Sequence, residues 1–263
     1  MEDKILYNTI GTEYNSTRQA DPYLTEKLFG LLSPRSNGLY LDIGSGTGNY
    51  TVALANRGIG FYGVEPSEKM LEIARSRDRR IKWLTGYAEQ IPVKNNLFDG
   101  AIATLTVHHW TDIKKAFAEI YRVLKEGARI VIFTSTPEQM RGYWLNHYFP
   151  KMLQDSILQI PSLEIIKNAA TGAGFKITGT EKYFIQDNLK DLFLYSGKNK
   201  PEFYLDEQVR KGISSFSALG NVAEVEQGLS ELKNDIDSCK FDAIRAKFEN
   251  EMGDYLFITA QKC

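Results

Sequence analysis

Residues 41–50 read LDIGSGTGNY, and three glycines, Gly44, Gly46 and Gly48, fall within five positions there. An aliphatic run precedes them and a stretch able to form a helix follows. Strand, glycine loop and helix in that order fit nucleotide binding, because bare backbone lets a ligand come close. The dinucleotide fingerprint is G-x-G-x-x-G/A; here Asn49 stands at its third position, which weakens a nicotinamide reading. No Gly-Lys-Ser/Thr follows, so the loop is not a P-loop either. Further on, GVEPSEKM places Glu65 at the carboxyl tip of the next strand, where a carboxylate can accept both hydroxyls of a ribose. Asp42 adds a second acidic group beside the loop. Two carboxylates with no lysine or arginine nearby make a poor pyrophosphate site and suit an adenosine carrying positive charge. A second chemical candidate is TVHHW, residues 106–110. An imidazole titrates near 6.5, so His108 or His109 could take a proton at neutral pH; the alternative is that one of them bonds a backbone carbonyl and orders the loop.

These groups need a frame. Apolar runs at 38–44, 60–65, 81–86, 101–107 and 128–134 read as strands, and the helical patterns at 49–57, 67–77 and 113–124 lie between them. Such alternation over residues 39–135 predicts an α/β fold with a doubly wound, mostly parallel sheet, whose ligands bind outside the carboxyl ends of the strands. Past residue 136 the rhythm changes. Residues 138–160 read as helical and aromatic-rich, 163–173 as a helix, 175–185 and 255–262 as strands. Between these last strands lie mostly helical residues, including an amphipathic segment with Val222, Val225, Leu229, Leu232 and Ile236 at helical spacing.

The whole chain sets outer bounds. Its 263 residues fit one large α/β domain, or one domain with an insertion. A net charge of −1 gives no electrostatic footprint for nucleic acid or an anionic membrane. Cys239 and Cys263 alone exclude a disulfide framework, and three scattered histidines leave no metal site to expect. The start MEDKILYNTI does not read as a signal peptide, and no apolar run approaches a bilayer span of about 18 residues. The expected compartment is the cytoplasm.

LDIGSGTGNY, GVEPSEKM, LTGYAEQIPVKNNLFDGAIATLTVHHW and RVLKEGARIVIF together resemble the motif series of class I S-adenosylmethionine-dependent methyltransferases, most of all the small-molecule branch with ubiquinone/menaquinone-type enzymes. The resemblance covers about residues 7–135 and implies a seven-stranded Rossmann-like methyltransferase fold with a helical cap inserted before the last strand. It implies lid helices over 1–36, a core over 37–186 and 254–263 with a lid segment at 137–160, and a cap over 187–253. It places Gly44, Ser45 and Gly46 along the methionine part of the cofactor, and Asp42 and the Thr104 carbonyl near its ammonium. Glu65 would bind the ribose, Pro66 and Met70 would pack on adenine, and Ala88 would meet the ring edge. Tyr87 stands where the family commonly has Asp, so Glu89 or a carbonyl would serve the exocyclic amine. Tyr7, Tyr14 and Arg18 resemble the family's lid, with Arg18 paired to the methionine carboxylate.

The implied reaction moves a methyl group to an O, N or C nucleophile of a small organic acceptor by in-line displacement. No catalytic triad is needed, since alignment and water exclusion do most of the work. Tyr143, Trp144, His147 and Tyr195, from two aromatic clusters, are the candidate acceptor contacts, with ordinary core packing as the competing reading. The expected partner is a small-molecule acceptor, with no nucleic acid and no membrane anchor; a homodimer is left open. Two other readings stand beside this one: a catalytically silent cofactor-binding regulatory module, and a nicotinamide-dependent oxidoreductase, which Asn49 opposes.

Overall fold

The computed structural model describes residues 17–263. Tyr7 and Tyr14 lie outside the described residues.

Among the described residues the first helix is α1 (Pro22–Leu32), capped by Asp21, whose carboxylate accepts from the Leu24 N–H at 2.9 Å. The alternating part follows: β1 (Leu39–Ile43), α2 (Asn49–Ala55), β2 (Gly60–Glu65), α3 (Glu68–Arg77), β3 (Lys82–Thr85), β4 (Phe98–Thr104), α4 (Ile113–Val123) and β5 (Leu124–Thr134). Three short helices come next, α5 (Pro137–Arg141), α6 (Leu145–Tyr148) and α7 (Pro150–Gln159), then α8 (Leu163–Gly172) and β6 (Phe175–Tyr183). Before β7 (Tyr255–Lys262) lie α9 (Glu207–Lys211), a π-helical turn at Ser215–Leu219, α10 (Val222–Asp237) and α11 (Phe241–Arg245).

The seven strands form one sheet in the order β3-β2-β1-β4-β5-β7-β6. The first five are parallel, while β7 runs antiparallel between β5 and β6. Strand order reverses between β1 and β4, so the crevice above their carboxyl ends is where a ligand is expected. Both faces of the central strands are covered, which is why β1 and β4 read as nearly continuous apolar runs, while the edge strand β6 is largely exposed. Side chains still alternate: along β5, Ile130 and Ile132 join one core and Val131 and Phe133 the other.

Several boundaries differ from the sequence reading, among them β4, which runs from Phe98 to Thr104 and not over 101–107. β5 begins at Leu124, directly after α4, because Leu124 pairs with Phe98 across a local register shift. The Lys125-Glu126-Gly127 stretch therefore continues the strand instead of separating the two elements. The helical stretch at 138–160 breaks in two places, and Pro150 opens the last piece, since a proline ring suits a first helical turn.

Candidate active site

The loop after β1 is fixed by β2. The Gly44 and Ser45 N–H groups both donate to the Val64 carbonyl, at 2.9 and 3.1 Å. Gly44 has φ +69°, a left-handed conformation, and a Cβ there would meet the Thr106 hydroxyl at 2.0 Å. A side chain is thus barred twice over, by backbone strain and by contact. The chain turns here with its backbone bare of side chains at Gly44 and Gly46, and the turn is held by bonds to Val64 and Glu65.

Two buried carboxylates face this loop. Glu65 accepts from the Gly46 N–H at 3.1 Å and from the Ser67 N–H at 2.9 Å, one bond to each oxygen. A carboxylate has about four acceptor positions, so capacity remains for two hydroxyls. Asp42 accepts from the Thr51 hydroxyl at 2.6 Å. Burial pushes Asp42 up from 3.8 to about 7; the Thr51 bond opposes this and the Glu65 charge adds to it. Burial likewise pushes Glu65 up from 4.5 to about 7, against its two backbone donors.

A cavity of about 700 Å³ opens above these groups. Arg18, Asp42, Gly44, Ser45, Gly46, Glu65, Pro66, Met70, Tyr87, Ala88, Glu89 and Thr104 all line it, so residues spread over 87 positions meet at one place. Tyr87 stands at the rim, 41% exposed, and Ala88 is buried. Glu89 is engaged, accepting from the Thr111 hydroxyl at 3.0 Å and the Asp112 N–H at 3.1 Å, and so ties the rim to the loop after β4.

Arg18 is also engaged. Its guanidinium pairs with Asp191 at 2.5 Å, and the Tyr50 hydroxyl donates to the same carboxylate at 3.0 Å. Asp191 is 1% exposed and lines the cavity, yet its position in the chain gave no sign of this. It follows β6 by several residues and meets Arg18 across 173 positions of sequence.

A second cavity of about 350 Å³ adjoins the first. Arg18, Leu105 and His109 line both. Leu105, just after β4, has φ +53°, an uncommon conformation for a non-glycine residue and one that collects at functional sites. His108 faces only the second cavity, and its Nδ1 is buried with no partner. Burial, with His109 and Arg18 nearby, holds His108 well below 6.5, so the ring is neutral. The two imidazoles lie 3.9 Å apart between centroids. His109, on the shared wall, is thus better placed between the cavities than His108.

The four aromatic-cluster candidates line neither cavity. Tyr143 and Tyr195 stack on each other at 3.9 Å within the core, and the Tyr143 hydroxyl donates to the Asp254 carbonyl. Trp144 is fully buried and its indole donates to the Lys198 carbonyl at 3.0 Å. His147 is exposed. Their role is packing β7 and the segment beyond β6 against α5 and α6. The second cavity is walled instead by Phe193 and Leu194 from the second aromatic cluster, together with residues that sequence spacing did not mark, such as Thr134, Ser156 and Ser215.

The groups present fit S-adenosylmethionine. The two carboxylates and the buried, unpartnered hydroxyls of Ser45, Thr47 and Thr104 supply acceptors and donors for a cationic nucleoside. The comparisons agree. Residues 41–132 match the family model for the methyltransferase domain. A ubiquinone/menaquinone biosynthesis C-methyltransferase of Geotalea daltonii is 30% identical over 169 residues, covering 54% of this chain and 72% of that protein. An uncharacterised methyltransferase of Mycobacterium tuberculosis is 30% identical over 135 residues, 51% of this chain and 55% of that one. A solved structure from Anabaena variabilis, described as a candidate methyltransferase of an antibiotic biosynthesis pathway, has a TM-score of 0.83 at 33% identity, covering 92% of this chain and 98% of its own. The chain belongs to the S-adenosylmethionine-dependent methyltransferase family. It spans about half the length of the Mycobacterium tuberculosis relative.

Proposed function

We propose that the protein transfers a methyl group from S-adenosylmethionine to a nucleophilic O, N or C atom of a small organic acceptor by in-line displacement. The observation that carries this reading is the pair of cavities joined at His109, Leu105 and Arg18, one walled by the nucleoside-binding loop and the other by the helices inserted late in the chain. Bound in the larger cavity, the cofactor supplies an already activated methyl group. Glu65 holds the ribose hydroxyls, and Asp42 and Thr104 face the ammonium. Pro66, Met70 and Ala88 enclose the adenine, with Tyr87 and Glu89 at its edge. Arg18, oriented by Asp191, grips the methionine carboxylate.

Most of the chain's contribution is alignment and exclusion of water, which can supply roughly 7–11 kcal/mol of barrier reduction. His109 takes a proton from acceptors that must lose one, and His108 packs behind it. A general base adds about 10²–10⁴ in rate where it acts. Residues 187–253 form the cap, 137–160 and the described part of 1–36 the lid, and 37–186 with 254–263 the core. The protein acts in the cytoplasm; among the described residues no helix is long and apolar enough to cross a membrane.

Transfer of a labelled methyl group from S-adenosylmethionine to members of a small-molecule library tests this reading. Labelled product with the wild type and at least a tenfold loss with His109→Phe support it. Binding of the cofactor without turnover on any acceptor would instead favour the silent regulatory module.

A further inference from the structure

The second cavity carries chemical information about its occupant. Apart from Arg18 and the imidazoles of His108 and His109, its polar wall consists of uncharged groups, chiefly Thr134, Ser135, Ser156, Gln159, Ser214 and Ser215. Its apolar wall includes Met140, Ile160, Phe193, Leu194, Ile213 and Leu219. Among the described residues that line it, no aspartate, glutamate or lysine occurs. The one permanent charge, Arg18, is matched by Asp191. His108 is held neutral by burial. The hydroxyls are organised: Ser156 on α7 donates to Ser215 in the π-helical turn, with Oγ atoms 2.9 Å apart, and so ties the lid segment to the late insertion across the cavity wall. Ser156 and Ser215 are both buried.

From this we infer that the methyl acceptor is a compact, uncharged and mainly apolar molecule, recognised through oxygen or nitrogen atoms that hydrogen-bond to the serine and threonine hydroxyls. An ammonium placed here would meet no carboxylate in the lining, and a carboxylate would meet an Arg18 already paired with Asp191, so either would lose its hydration with little return. A neutral ring with one hydroxyl loses little and gains apolar burial at about 25 cal/mol per Å². The volume, about 350 Å³, is at the small end of ligand pockets, which run from about 300 to 1,000 Å³. It suits a two-ring compound and not a long-chain lipid. This inference rests on the smaller cavity being the acceptor site of the proposed methyltransferase.

The test uses three matched probes, 4-phenylphenol, 4-phenylbenzoate and 4-phenylbenzylammonium, titrated calorimetrically into the full chain saturated with S-adenosylhomocysteine. The phenol is expected to bind at least tenfold more tightly than either charged probe. Leu219→Trp, which narrows the cavity, is expected to weaken phenol binding at least tenfold while leaving S-adenosylhomocysteine affinity within twofold. Equal or tighter binding of a charged probe, no binding by any of the three, or phenol affinity untouched by Leu219→Trp would overturn the inference. Failure of S-adenosylhomocysteine to bind at all would overturn the functional reading beneath it, which separates the two.

Discussion

Glu65 and Asp42 are held where their own charge is penalised, and that penalty is useful only if a ligand removes it. Both carry protons more tightly when folded than when unfolded, with folded values near 7 against 4.5 and 3.8. A raised carboxyl value means a stability contribution that is complete below about 4 and lost as pH rises to about 7. The ligand-free protein is therefore expected to be less stable to denaturant at pH 7.5 than at pH 5 on account of these two groups. Cofactor binding reverses their preference, because hydroxyl donors and positive charge favour the ionised forms. Affinity for S-adenosylmethionine should rise between pH 5 and pH 7 and level off above, with protons released on binding at pH 6. Calorimetry in two buffers of different ionisation enthalpy checks this; a pH-independent affinity would contradict it. Arg18 shows a different residue-scale device. Asp191→Asn leaves a mostly buried guanidinium without its counter-charge and should cost about 3 kcal/mol in chemical denaturation, the lower range for breaking one side of a buried pair. Tyr50→Phe removes one hydroxyl from the same carboxylate and should cost only about 1 kcal/mol.

At the scale of elements, the loop between β1 and α2 does most to define the site. Gly44→Ala must fit a Cβ against Thr106 at a positive φ, so it should both destabilise the fold and abolish cofactor binding. Thr106→Ser with Gly44→Ala keeps the strain and the hydroxyl, and so should not restore binding. This loop was legible in the sequence because its glycines, the flanking strand and the following helix are local, and because Glu65 lies at a fixed spacing along the next strand. The central strands were legible because two-sided burial demands nearly unbroken apolar runs. Asp191 was not, since its partner is 173 positions away and a lone aspartate in an irregular stretch has no local pattern. The aromatic clusters misled for a related reason. Tyr143, Trp144 and Tyr195 have the composition of a cavity wall, yet hydrophobic burial draws large rings into any available core. Only the three-dimensional arrangement shows that the space beside His109 is walled by hydroxyl-bearing and aliphatic side chains, with Phe193 the member of the aromatic clusters that reaches it.

At the scale of the molecule, one sheet presents a loop-lined cavity above its carboxyl edge, and the late insertion closes a smaller one beside it. Occupancy of the larger cavity should be felt throughout the fold, because a ligand that binds only the native state stabilises it by mass action. At 100 times its dissociation constant the gain is about 2.7 kcal/mol, visible as a rise in melting temperature. The most direct measurement is a calorimetric titration of S-adenosylhomocysteine into the wild type and into Glu65→Gln, both shown to be folded. One-to-one binding by the wild type is expected, weakened about tenfold or more by Glu65→Gln, in line with about 1.5–3 kcal/mol for hydrogen bonds to a charged acceptor. No binding by the wild type, or equal binding by both proteins, would contradict the placement of the nucleoside against this carboxylate.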